Sequence, residues 1–311
     1  MSNDAPTPAR RRRQKLRWAG AAAALVIVTG GLGFGRGLRN ATRSIAPAKH
    51  PIPPGARADA FARFPDLRDV AFTTSDGLTL RGWFSPGTSR AAVILVHGGE
   101  GDRTQLLPEA LVLARHGYGF LAYDSRASGE SDGDATSWGD HERRDLVAAL
   151  DFVSAQSEID PQRIAVLGFS IGGTTAALVA ASDARVRAAI LAPVWTSLSE
   201  ELWSKSGRLR WLTYHGWKLG LERAGVDVDG VRPIDVIENV SPRPVLLIAG
   251  TRDRDTPVPV MQRMLEAARQ PASLWIVPGA EHGTYLKTAP AEYETRVVGF
   301  LDAALTDTSG R

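Results

Sequence analysis

The run Gly168-Phe169-Ser170-Ile171-Gly172 places a serine between two glycines, after an apolar segment and before a helical pattern. A serine on a sharp strand-to-helix turn holds its hydroxyl clear of its neighbours, and the flanking glycines let the backbone turn without a clash. The helix that follows would aim the positive end of its dipole at that hydroxyl, and the Ile171 N–H would donate to a developing oxyanion. A serine hydroxyl is a weak nucleophile and needs a base. Of the six histidines, His282 fits best: it lies in Pro278-Gly279-Ala280-Glu281-His282-Gly283, between the last apolar run and the final helical pattern. The others fit less well, since His50 is in a proline-rich stretch, His116 ends a helical pattern, His141 starts one, and His215 lies in an insertion. His97 opens His97-Gly98-Gly99 and is expected to be a buried structural residue. An acid to orient the base is expected in Gly250-Thr251-Arg252-Asp253-Arg254-Asp255, with Asp253 favoured and Asp255 the alternative. Gly99 is the expected source of a second oxyanion N–H.

These residues need a scaffold that brings distant loops to one edge. From residue 70 onward, apolar runs at 91–96, 119–123, 164–168, 188–191, 245–249 and 274–277 alternate with helical patterns at 105–116, 140–157, 172–182, 260–269 and 291–304. Continuous apolar runs fit strands covered on both faces, and the alternation predicts a mostly parallel central sheet flanked by helices. Such a sheet collects its ligands at the carboxyl ends of the strands. Ser75-Asp76-Gly77 predicts a hairpin between 69–73 and 78–84. Residues 195–231 break the rhythm and hold four of the eight tryptophans, Trp195, Trp203, Trp211 and Trp217. They read as a small helical cap, its tryptophans either packing it onto the body or, some of them, lining an apolar substrate pocket or resting on lipid.

The chain has no cysteine, which excludes disulfides, thiolate metal sites and a cysteine nucleophile. The net charge of +3 is unevenly spread: residues 1–49 carry +9 and the remainder −6. A basic arm on an acidic body argues against a nucleic-acid-binding domain. After the basic arm, 1–17, residues 18–35 are uncharged and would span roughly 27 Å as a helix. That pattern predicts a transmembrane signal anchor or a signal peptide, with the catalytic domain membrane-anchored outside the cytoplasm, or secreted after cleavage. Residues 36–67 read as a proline-rich linker and 68–306 as the folded domain.

Together His97-Gly98-Gly99, Tyr123-Asp124-Ser125-Arg126, Ser131-Asp132-Gly133, the serine run with Gly173, Gly250-Thr251-Arg252-Asp253 and Gly279-Ala280-Glu281-His282 resemble the α/β-hydrolase superfamily, from about residue 68 to 304. The likeness is greatest to its membrane-anchored or secreted esterase, lysophospholipase and serine-peptidase-like branch. The order Ser170, Asp253, His282 matches that superfamily. The resemblance implies an α/β-hydrolase fold and a serine hydrolase acting through an acyl-enzyme, with no cofactor and no metal. A small-molecule or lipid acyl ester is the expected substrate. A peptidase of the prolyl-oligopeptidase or aminopeptidase type and a non-catalytic membrane-tethered binding protein are the alternatives. Asp124 and Arg126 are expected to brace the turn after their strand, and Asp145 to be a structural helix carboxylate.

Overall fold

The computed structural model describes residues 8–306. The chain divides into two compact units, Met1–Ser44 with Leu202–Gly225, and Ile45–Glu201 with Val226–Arg311.

In the smaller unit, Pro8–Ser44 is one helix of 37 residues that packs on the helix Arg210–Arg223. Glycines permit the contact. A Cβ on Gly37 would lie 2.1 Å from the Thr213 carbonyl oxygen, and one on Gly216 would lie 2.2 Å from that of Phe34. Trp217 is buried and donates to Ser44 Oγ at 3.3 Å, whereas Trp203 and Trp211 are exposed. The anchor expected over residues 18–35 is not supported, because no helix among the described residues is long and apolar enough to cross a membrane. Of the glycines in this stretch, Gly33 lies against Leu209 and Leu212, where a Cβ would come within 3.1–3.2 Å of them. The first seven residues of the expected basic arm lie outside the described residues.

The stretch expected to be a linker is structured in part: the helix reaches Ser44, and a second helix forms at Pro54–Arg63. Pro54 stands at a helix start, where a missing N–H costs nothing, and Ala60 and the following Phe64 are buried.

The larger unit is built on eight strands: β1 Arg68–Thr73, β2 Thr79–Ser85, β3 Ala92–Val96, β4 Gly119–Tyr123, β5 Ile164–Gly168, β6 Val186–Leu191, β7 Val245–Gly250 and β8 Ala272–Val277. Their order is β8-β7-β6-β5-β3-β4-β2-β1. β3 to β8 are mutually parallel, while β2 runs antiparallel to both β1 and β4. The hairpin expected around Asp76-Gly77 is the β1–β2 pair. β3, β4, β5 and β7 are buried at every position, so alternate side chains feed two separate cores. Ile94, Val166 and Leu247 enter one, under the helices Glu142–Ser154 and Ile171–Ser182. Leu95, Leu167 and Ile248 enter the other, with Tyr293 and Leu301 of the helix Pro290–Ala304.

Candidate active site

The turn after β5 carries Ser170 at φ 56° and ψ −117°. This is a left-handed conformation that costs a non-glycine residue about 1–3 kcal/mol and persists only where the surroundings enforce it. Here they do. Phe169 N–H donates to the Val96 carbonyl at 3.0 Å, and Gly172 N–H donates to the Phe169 carbonyl at 2.8 Å. A Cβ on Gly168 would sit 2.2 Å from the Gly172 carbonyl oxygen, and one on Gly172 would sit 2.1 Å from that of Val96. The glycines are therefore demanded by close backbone approach. Ser170 is half-buried and immediately precedes the helix Ile171–Ser182.

The loops after β7 and β8 are laced together, with Arg252 N–H donating to the Ala280 carbonyl at 2.9 Å and Gly279 N–H to Thr251 Oγ1 at 2.8 Å. They bring His282 Nδ1 to 2.8 Å from Asp253 Oδ2. Oδ2 also accepts from Tyr285 Oη at 2.9 Å, while Oδ1 accepts the N–H groups of Thr256 and Asp255 at 2.8 and 2.9 Å. Burial alone would raise the Asp253 pKa, but the bonds from His282, Thr256 and Tyr285 outweigh it and hold the carboxyl below its usual range. An ionised Asp253 requires the proton on Nδ1 of His282, which leaves Nε2 as the acceptor. The histidine ring packs on Phe169, centroids 5.0 Å apart, so its loop rests against the serine turn. Asp255, the alternative acid, is exposed and meets Asp253 through its backbone. Tyr285 was not foreseen. Its only signal in the sequence is an aromatic residue with a polar tip three positions beyond His282.

Gly98 and Gly99 follow β3 and face the same turn. A Cβ on Gly98 would lie 2.8 Å from the Phe169 ring and 3.3 Å from Ser170 Cβ, and one on Gly99 would lie 2.8 Å from Ile171 Cδ1. Gly99 and Ile171, the two expected oxyanion donors, are thus neighbours. His97 is buried; its Nε2 accepts the Ser125 N–H at 2.9 Å and its Nδ1 lies 2.7 Å from the Gly98 carbonyl. The backbone donor at Ser125 fixes the proton on Nδ1, and burial holds the pKa low, so His97 is a neutral strut between two loops.

Behind the loops, Asp124 accepts from the Arg103 backbone and guanidinium and from Glu130 N–H, at 2.6–3.1 Å. Arg126 donates to Asp145 and Asp76. Asp124, Arg126 and Asp145 therefore act as braces. Among the described residues, Asp253, Asp255 and His282 group their ligand atoms within 4.8 Å, but two of them already bond each other.

Two cavities adjoin the histidine. A cleft of about 700 Å³ is lined by Thr251 to Asp255, Glu281 and His282. A smaller one of about 180 Å³ is lined by Phe169, His282, Tyr285 and residues of the helix Leu107–Arg115 and its approach. Neither is lined by the four tryptophans of the insertion.

The sheet order, the serine turn after β5 and the loops after β7 and β8 define an α/β-hydrolase fold. The Pyrococcus furiosus esterase Pf2001 superposes with a TM-score of 0.70 at 24% identity, over 84% of this chain and 98% of that one. The Penicillium α/β-hydrolase GrgF superposes at 0.64 and 23%, over 78% and 99%. The sequence pattern of the prolyl oligopeptidase family matches residues 105–308, and the chain belongs to that family. An uncharacterised protein of Mycobacterium tuberculosis H37Rv is 32% identical over 239 residues, 76% of this chain and 78% of the relative. The polyketide transferase grgF of Penicillium is 29% identical over 264 residues, 69% and 88% of the two chains.

Proposed function

We propose that the protein is a serine hydrolase that cleaves a carboxylic ester through an acyl-enzyme. The observation that carries this reading is a serine in a strained turn at a helix start, packed through Phe169 against a histidine that an ionised, buried aspartate orients. Nε2 of His282 takes the Ser170 proton as Oγ attacks the ester carbonyl. The negative charge on the former carbonyl oxygen is met by the N–H groups of Gly99 and Ile171. The proton on Nε2 passes to the leaving alkoxide as the C–O bond breaks. Water then repeats the sequence on the acyl-serine and releases the acid, restoring Ser170. Asp253 stays ionised throughout and stabilises the imidazolium.

Family membership favours a second reading, a peptidase using the same three residues on an amide. Hydrolysis of p-nitrophenyl esters of increasing acyl length, beside dipeptide p-nitroanilides, separates the two, with Ser170→Ala as the blank. Serine-dependent ester turnover with inert anilides is the expected result. Turnover of anilides alone would move the assignment to peptidase. A Ser170 that neither turns over substrate nor labels with a fluorophosphonate would leave a binding protein.

A further inference from the structure

The cavity of about 180 Å³ beside His282 is walled by Leu106, Leu167 and the rings of Phe169, Tyr285 and Tyr293, and Glu109 also lines it. Glu109 Oε2 is shut off from solvent and has no hydrogen-bond partner among the described residues. Buried polar atoms are nearly always paired, so an orphaned one on a residue that lines a cavity calls for an explanation. Other polar side chains in the wall are already engaged: Gln105 Oε1 accepts the Gly98 N–H at 2.7 Å, and His282 and Tyr285 bond Asp253. Glu109 lies in the first turn of the helix Leu107–Arg115, whose N-terminal cap residue, Leu106, makes no side-chain cap.

A carboxylate is complemented best by a cation, and aromatic faces attract the same charge. The wall offers one acid and three aromatic rings. An ammonium group has three donors and a positive charge; a hydroxyl offers one donor and no charge. The volume is below that of a pocket for a whole ligand, and suits one short arm of a substrate. We propose that this cavity receives a primary ammonium group of the substrate, with Glu109 as the specificity-determining residue that pairs with it. This rests on the ester-hydrolase reading, since His282 lines both the cavity and the reacting centre. Burial, which pushes the Glu109 carboxyl up to about 7, accords with a site waiting for a cation to hold it ionised.

The test compares β-alanine ethyl ester with ethyl butanoate, which differ by an ammonium in place of a methyl group, on the full chain and on Glu109→Gln. The native protein is expected to favour the ammonium ester in kcat/KM. Glu109→Gln should lower the ratio of the two by about 10- to 100-fold, the range of a charge-assisted bond. An unaltered ratio, or a native preference for ethyl butanoate, would overturn the proposal. Calorimetric titration of Ser170→Ala with propylammonium chloride gives a readout free of catalysis. Binding that disappears in Ser170→Ala/Glu109→Gln supports the cation site, and absence of binding overturns it. If neither ester shows Ser170-dependent turnover, the ester reading fails, while the propylammonium titration still decides the role of Glu109.

Discussion

Glu109→Gln should change how the stability of this protein depends on pH. In the folded chain burial pushes the Glu109 carboxyl from 4.5 to about 7. The unfolded chain therefore loses this proton near pH 4.5, and the folded chain keeps it until about 7. Between those values the folded state binds more protons, so stability falls as pH rises. The contribution is fully present below pH 4.5 and lost by the time pH passes 7. The gap of about 2.5 units, at about 1.4 kcal/mol each, amounts to about 3 kcal/mol. This is an upper limit, because the side chain is only partly buried even though Oε2 is shut off. Glutamine does not titrate, so the stability of Glu109→Gln relative to the native chain should rise by that amount between pH 4.5 and 8. In thermal melts this corresponds to a relative gain of roughly 6–12 °C. His282, Tyr285 and Tyr293 share the cavity, but they are common to both proteins and largely cancel in the difference. Parallel melting curves against pH for the two proteins would refute the buried, unpaired carboxyl.

Asp253→Asn should lower kcat by about 10⁴ while leaving the fold intact, because an amide no longer holds His282 in its Nδ1–H tautomer; steady-state kinetics on the preferred ester would show it. Tyr285→Phe removes one of four bonds to Asp253 and should cost about 1.5–3 kcal/mol in urea unfolding at pH 7. The Asp253 pKa is depressed in the fold, so its contribution is present above the unfolded value, near pH 4, and is lost as pH falls through the folded one. The phenylalanine variant should therefore show a smaller loss on acidification to pH 3 than the native chain. Asp145→Asn leaves the buried Arg126 with Asp76 as its remaining partner and should destabilise by about 3 kcal/mol, the lower end for a broken buried pair.

Strand positions were legible because continuous apolar runs and glycine turns are local signals. The run at 119–123 coincides with β4 and that at 164–168 with β5, while β6 and β8 each begin two residues before the expected start. The hairpin at Asp76-Gly77 was equally plain. The N-terminal region was not. Residues 18–35 carry the composition of a membrane segment, yet Gly33 within it and Gly37 just beyond it lie close against residues 209–217, far along the chain. Residues 54–63 are helical because buried apolar side chains hold them, where proline content alone read as a linker.

The sequence by itself determined which loops carry Ser170, Asp253 and His282, since glycine, proline and apolar periodicity act over a few residues. Only the tertiary structure decided what meets what: Tyr285 on Asp253, Arg103 on Asp124, and Glu109 lining one cavity with His282, its Oε2 unpaired among the described residues. Those relations join residues up to 173 positions apart, as Glu109 and His282 are, and no local preference of the chain encodes them. They arise when parallel strands place their carboxyl ends along one edge and the loops above must share the space.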